Sequence, residues 1–112
     1  MDIQAESMGT HCTIRIRGKI TFEHCTDLQG RIDAAVGADT RQVTVDFKEV
    51  PFIDSSGIGE ILRLYRLMRE RNGDVTLANP NNKLRTLFTI YRFDKFMKIC
   101  GESEIPANVP LR

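Results

Sequence analysis

Asp54-Ser55-Ser56-Gly57-Ile58-Gly59 holds the residues of this chain best suited to chemistry. Two adjacent serines follow an acid and precede a glycine, where a β-rich stretch gives way to a long amphipathic helical pattern. A hydroxyl at a helix N-terminus has two uses. It can accept a backbone N–H and cap the helix, which is worth about 1 kcal/mol. It can also carry a phosphoryl group, because a helix start bears roughly +0.5 charge and tolerates an anion. Capping accounts for a Ser-Ser pair by itself, and on that reading Ser55→Ala loses up to about 1 kcal/mol. Capping does not account for Gly57 and Gly59, which are poor helix formers. Small residues there leave the serine uncovered and let another protein's backbone approach, which favours an exposed, modifiable hydroxyl at Ser55. Asp54 either fixes the turn through an Asx-type bond, or it orients the Ser55 hydroxyl or meets the enzyme that modifies it. Ser56 is a cap or first-turn residue, and the alternative acceptor.

Other candidates lack partners in the sequence. His11 and His24 are isolated and no metal-ligand spacing occurs, so no metal is expected. There is no GxSxG elbow, no phosphate-cradling glycine loop and no recognisable nucleophile–base pair, so no catalytic residue and no cofactor are assigned. Arg63, Arg66, Arg69 and Arg71 read as a solvated helix face, with contact to an acidic partner surface as the other reading.

The elements that position the serines follow from periodicity. Cys12, Ile14 and Ile16 alternate with Thr13, Arg15 and Arg17, the period of a half-buried strand, and Ile3 and Ala5 hint at a weaker strand paired to it around Gly9. Phe22, Cys25, Leu28, Ile32, Ala35 and Val36 recur at helical spacing up to Gly37. A strand is expected over Arg41–Phe47. The helix after Ser55 buries Ile58, Ile61, Leu62, Tyr65 and Met68 and stops at Asn72-Gly73. Val75–Ala78 is a further strand, and Asn79-Pro80 suits the cap and first turn of a third helix, lined by Leu84, Leu87, Phe88 and Tyr91. Phe96–Cys100 reads as a last short strand and Glu102–Arg112 as a surface tail. This alternation implies an α/β fold: a mixed, largely parallel sheet of four or five strands with about three helices.

A chain of 112 residues bounds one domain, taken as residues 1–112 with a core over about 3–100. A formal net charge of +1 gives no reason to expect nucleic acid or an anionic membrane as partner. Cys12, Cys25 and Cys100 are odd in number and far apart, which suits a reducing compartment. The N-terminus has no apolar stretch of a signal peptide and no run spans a membrane. A cytoplasmic location of bacterial type is expected.

With Ile14–Ile20, Val43–Phe47 and the Phe52–Gly59 segment in that order, the chain resembles a STAS domain, in its stand-alone form as an anti-sigma factor antagonist. The resemblance runs from about Ile3 to Cys100, and Asp54-Ser55-Ser56-Gly57-Ile58-Gly59 is its specific part. It implies a partner that is both anti-sigma factor and serine kinase, bound while Ser55 is unphosphorylated and released once Ser55 carries phosphate. A separate serine phosphatase resets the switch. Asp54 to Gly59 would form the partner-binding segment. The chain departs from the family at Gly18-Lys19-Ile20-Thr21, where many relatives carry an acid; Thr21 can still cap the following helix. It departs again at Arg92, often a glycine, which costs on the order of 1 kcal/mol if the backbone there is left-handed.

A phosphate on Ser55 adds about −1.5 to −2 charge. The helix N-terminus favours it and Asp54 opposes it, so the fold is expected to survive while a packed partner meets an added charge. Two other classes stay open. One is a STAS subunit of a transport or stress-sensing assembly without a sigma factor. The other is a nucleotide-binding regulatory domain.

Overall fold

The computed structural model describes residues 1–101. Five strands and three α-helices follow one another along the chain: β1 (Asp2–Met8), β2 (His11–Arg17), α1 (Cys25–Ala35), β3 (Gln42–Glu49), α2 (Ser55–Arg69), β4 (Asp74–Ala78), α3 (Asn82–Ile90) and β5 (Lys98–Cys100). The strands lie side by side in chain order, β1-β2-β3-β4-β5. β1 runs antiparallel to β2, and every later pairing is parallel. This is the mixed, largely parallel sheet that the alternation of strand and helix requires, since parallel neighbours need a crossover.

The register stacks apolar residues into a continuous row. Ala5, Ile14, Val45, Leu77 and Ile99 face one another across all five strands. Val43, Thr44, Val45, Asp46 and Phe47 are all buried, so β3 is covered on both faces, as expected of a central parallel strand. Phe47 meets Phe88 of α3 with ring centroids 5.3 Å apart. Ile58, Ile61, Leu64 and Met68 form the buried stripe of α2. Leu62 and Tyr65 are only half-buried beside it. Arg63 joins α2 to α1: its guanidinium bonds Asp33 at 3.0 Å and Glu60 at 3.0 Å. Arg71 donates to the Gly37 carbonyl. Arg63 therefore ties the two helices, Arg71 ties the segments that follow them, and Arg66 and Arg69 remain on the solvated face.

Several local expectations are corrected. The first helix does not start at Phe22. A 3-10 turn spans Phe22–His24 before α1, and Phe22 is 77% exposed rather than part of the apolar face. Thr21 caps nothing with its side chain, which donates to Glu23 instead. The cap of α3 is Asn81, whose carbonyl oxygen accepts from the Leu84 N–H at 2.8 Å. Asn79 instead takes a left-handed backbone at φ 58° and donates to Asp46. A second 3-10 turn at Phe93–Lys95 shortens the last strand to Lys98–Cys100. Arg92 enters that turn at φ 62° and ψ 27°, so the backbone there is left-handed. The tail expected over Glu102–Arg112 lies outside the described residues.

Candidate functional site

Asp54, not Ser55, is the N-cap of α2. It sits in extended backbone, and its Oδ1 accepts the N–H of Ser56 at 3.0 Å and of Gly57 at 3.1 Å. Its Oδ2 accepts the N–H of Phe22 at 2.9 Å. One carboxylate thus closes the start of α2 and holds the 3-10 turn that follows β2. The backbone repeats the tie. Ile20 donates to the Phe52 carbonyl, Asp54 donates to the Ile20 carbonyl, and Ile20 pairs with Ile53 in a parallel bridge. The carboxylate fixes the turn as the Asx-type reading expects, and it makes no bond to the Ser55 hydroxyl.

Relieved of capping, Ser55 is the first helical residue and is exposed. Among the described residues its hydroxyl has no hydrogen-bond partner. Ser56 is half-buried behind it. The six residues from Asp54 to Gly59 fall in the first turns of one helix but not on one surface: Ser55 and Gly59 are exposed, while Gly57 and Ile58 are buried. The two glycines consequently have different reasons. A Cβ on Gly57 would stand 2.6 Å from Ile53 Cγ2 and 2.8 Å from Ile20 Cγ2, so its smallness serves the interior. A Cβ on Gly59 would meet open space. Only Gly59 fits the expectation of a glycine that keeps the surface bare.

Acidic side chains gather at this end, Glu60 among them already paired with Arg63. Glu60 and Asp54 stand close enough to the Cys25 thiol to push its pKa up, after burial as the larger cause. Glu23 adds a third acid on the neighbouring turn. The surroundings are also apolar in a way that periodicity did not reveal. Phe22 and Phe52 are exposed at 77% and 42%. Phe52, Ile53, Leu84, Leu87 and Ile90, with Lys83 and Thr86, line a shallow groove of about 190 Å³ against α3. A weak signal for Phe22 existed, since it precedes Glu23 and His24 at the very edge of a helical pattern.

No group of three or more His, Cys, Asp or Glu residues that could hold a metal occurs among the described residues. No helix among them is long and apolar enough to cross a membrane.

Comparison with known proteins agrees with this geometry. The sequence profile of the STAS domain matches residues 2–104. A STAS-domain containing protein of Pseudomonas aeruginosa is 29% identical over 91 residues, covering 81% of this chain and 89% of that protein. The anti-sigma-B factor antagonist of Bacillus subtilis is 30% identical over 71 residues, covering 63% of this chain and 62% of its own length. Among solved structures, the Bacillus cell fate determinant SpoIIAA in its phosphorylated form superposes with a TM-score of 0.73 at 24% identity, over 92% of this chain and 95% of that one. At that identity the likeness speaks for the fold. With the profile match over nearly the whole length and the five-stranded sheet that carries it, the chain belongs to the STAS domain family.

Proposed function

We propose that this chain is a cytoplasmic anti-sigma factor antagonist, working as one domain and without catalysis of its own, and that Ser55 is its phosphorylation switch. The observation that carries this reading is the exposed Ser55 hydroxyl, without a hydrogen-bond partner among the described residues, on a helix start made rigid by Asp54. A kinase can reach such a hydroxyl without unfolding anything. Unphosphorylated, the segment offers a neutral contact face and sequesters a partner that is both anti-sigma factor and serine kinase, so the sigma factor is free. The kinase then transfers the γ-phosphoryl of ATP. The bond from the γ-phosphorus to ADP breaks, an Oγ–P bond forms on Ser55, and the hydroxyl proton leaves to the kinase or to water. The product places about −1.5 to −2 further charge next to Asp54. A partner packed on this end then faces a desolvated anion, which costs several kcal/mol, enough to change occupancy by orders of magnitude. A phosphatase restores the hydroxyl.

The test is incubation of the full chain with purified anti-sigma serine kinases and ATP, phosphosite mapping by mass spectrometry, and calorimetric titration of both forms against the kinase. Phosphate on Ser55 and loss of tight binding are expected. Phosphate on Ser56 alone, or equal affinity of both forms, overturns the reading. Co-purification with a transport ATPase or a large sensor in place of a kinase supports a constitutive STAS subunit. Saturable binding of labelled GTP or ATP supports a nucleotide-binding domain.

A further inference from the structure

We infer that Phe22 is the apolar anchor of the partner contact at Ser55, and that the anti-sigma serine kinase receives it in an apolar socket rimmed by basic side chains. This rests on the reading of Ser55 as the phosphorylated residue. Phe22 is the most exposed large apolar residue among those described, at 77%. A ring left in water at that level contributes nothing to the core, yet its backbone is fixed. Its N–H is held at 2.9 Å by Asp54 Oδ2, the same carboxylate that caps α2. The Ile20–Ile53 bridge is parallel. The Phe22 N–H on Asp54 then places the start of the 3-10 turn beside the residue that immediately precedes Ser55. A protein that seats Ser55 for phosphoryl transfer therefore also meets Phe22.

The anchor is preorganised, because its backbone is already ordered and little is lost on binding. Buried aromatic anchors are where interface energy concentrates. The charge around it defines the rest of the socket. Glu23 and Asp54 flank it while Glu60 is already paired with Arg63, so a complementary surface is apolar at its centre and carries basic groups opposite those two acids. Phe52 and Ile90, exposed at 42% and 67%, line the separate groove against α3 together with Lys83.

The experiment uses the full chain and the purified serine kinase that labels Ser55. Phe22→Ala is compared with wild type and with Met8→Ala, a residue also exposed but in β1. Affinity is read by calorimetry, KM for Ser55 phosphorylation by steady-state kinetics, and folding by thermal melts. The expected result is that Phe22→Ala weakens binding about ten-fold or more and raises KM in parallel. Its melting curve should match wild type, and Met8→Ala should change neither quantity. Binding and KM within about two-fold of wild type for Phe22→Ala overturn the anchor while leaving the Ser55 switch intact. A wild-type chain that no such kinase binds or labels overturns the switch and the anchor together.

Discussion

Asp54 carries more of this site's structure than the serine beside it. Its two oxygens satisfy three backbone N–H groups from two segments. Asp54→Ala should cost about 1–2 kcal/mol, read as a lower denaturation midpoint. Ser55→Ala removes no cap and should change stability by less than about 0.5 kcal/mol. The same variant should abolish phosphorylation and keep partner binding. Ser55→Asp and Ser55→Glu should fold, since an acid in the first turn is favourable by roughly 0.3–1 kcal/mol. Both should bind the anti-sigma partner more weakly than wild type, and less weakly than the phosphoserine form would. The glycines give a matched pair. Gly57→Ala drives a methyl into Ile53 and Ile20 and should cost about 1–3 kcal/mol. Gly59→Ala enters open space and should stabilise the helix by up to about 1 kcal/mol. Equal effects from the two would refute the inward role of Gly57.

At the scale of elements, the left-handed Arg92 between α3 and the Phe93–Lys95 turn is a specific weakness. A side chain in that backbone region costs roughly 1–2 kcal/mol, and glycine does not share the penalty. Arg92→Gly should raise stability by up to about 1 kcal/mol once glycine's larger unfolded-state entropy is subtracted. Chemical denaturation with an unchanged slope is the measurement. The order of strands and helices was legible because each element keeps one period over enough residues: Cys12, Ile14 and Ile16 in β2, or Ile58, Ile61 and Met68 in α2. What was not legible sits at the junctions. Ser55 and Asp54 are both good caps, and only the three-dimensional path of the Phe22 N–H shows why the acid takes the role. Asn79 and Asn81 pose the same ambiguity around Pro80. Gly57 looked like a surface glycine because Ile20 is far from it in sequence and Ile53 lies before the helix starts, so neither belongs to the helical pattern that holds Gly57.

For the whole molecule, acid sensitivity should begin in the imidazole range. His11 stands at the start of β2 with Nε2 2.8 Å from Thr44 Oγ1 of β3. Burial, outweighing a hydrogen bond with Gln42, holds its pKa below the ordinary 6.5. The unfolded chain then binds the proton first. Stability from this group is full above pH 6.5 and is lost as pH falls from there toward the lowered folded value. Melting temperature should drop between pH 7.5 and pH 5.5, and His11→Gln should flatten part of that drop. A slope unchanged by the substitution would assign it elsewhere.

The chain-ordered sheet has a consequence for how the molecule is made. Each strand's nearest neighbour in space is the strand synthesised just before it. No strand has to wait for a distant one before it can pair, so every closure spans a single helix or a tight turn, and short closures are entropically mild. On a ribosome, β1 and β2 can pair first, and β3, β4 and β5 can then dock in order as they emerge. Because the Ser55 helix lies between β3 and β4, its Asp54 clamp onto Phe22 can close before α3 and β5 exist. Nascent chains arrested after β4 should therefore already protect the Phe22 amide from hydrogen exchange.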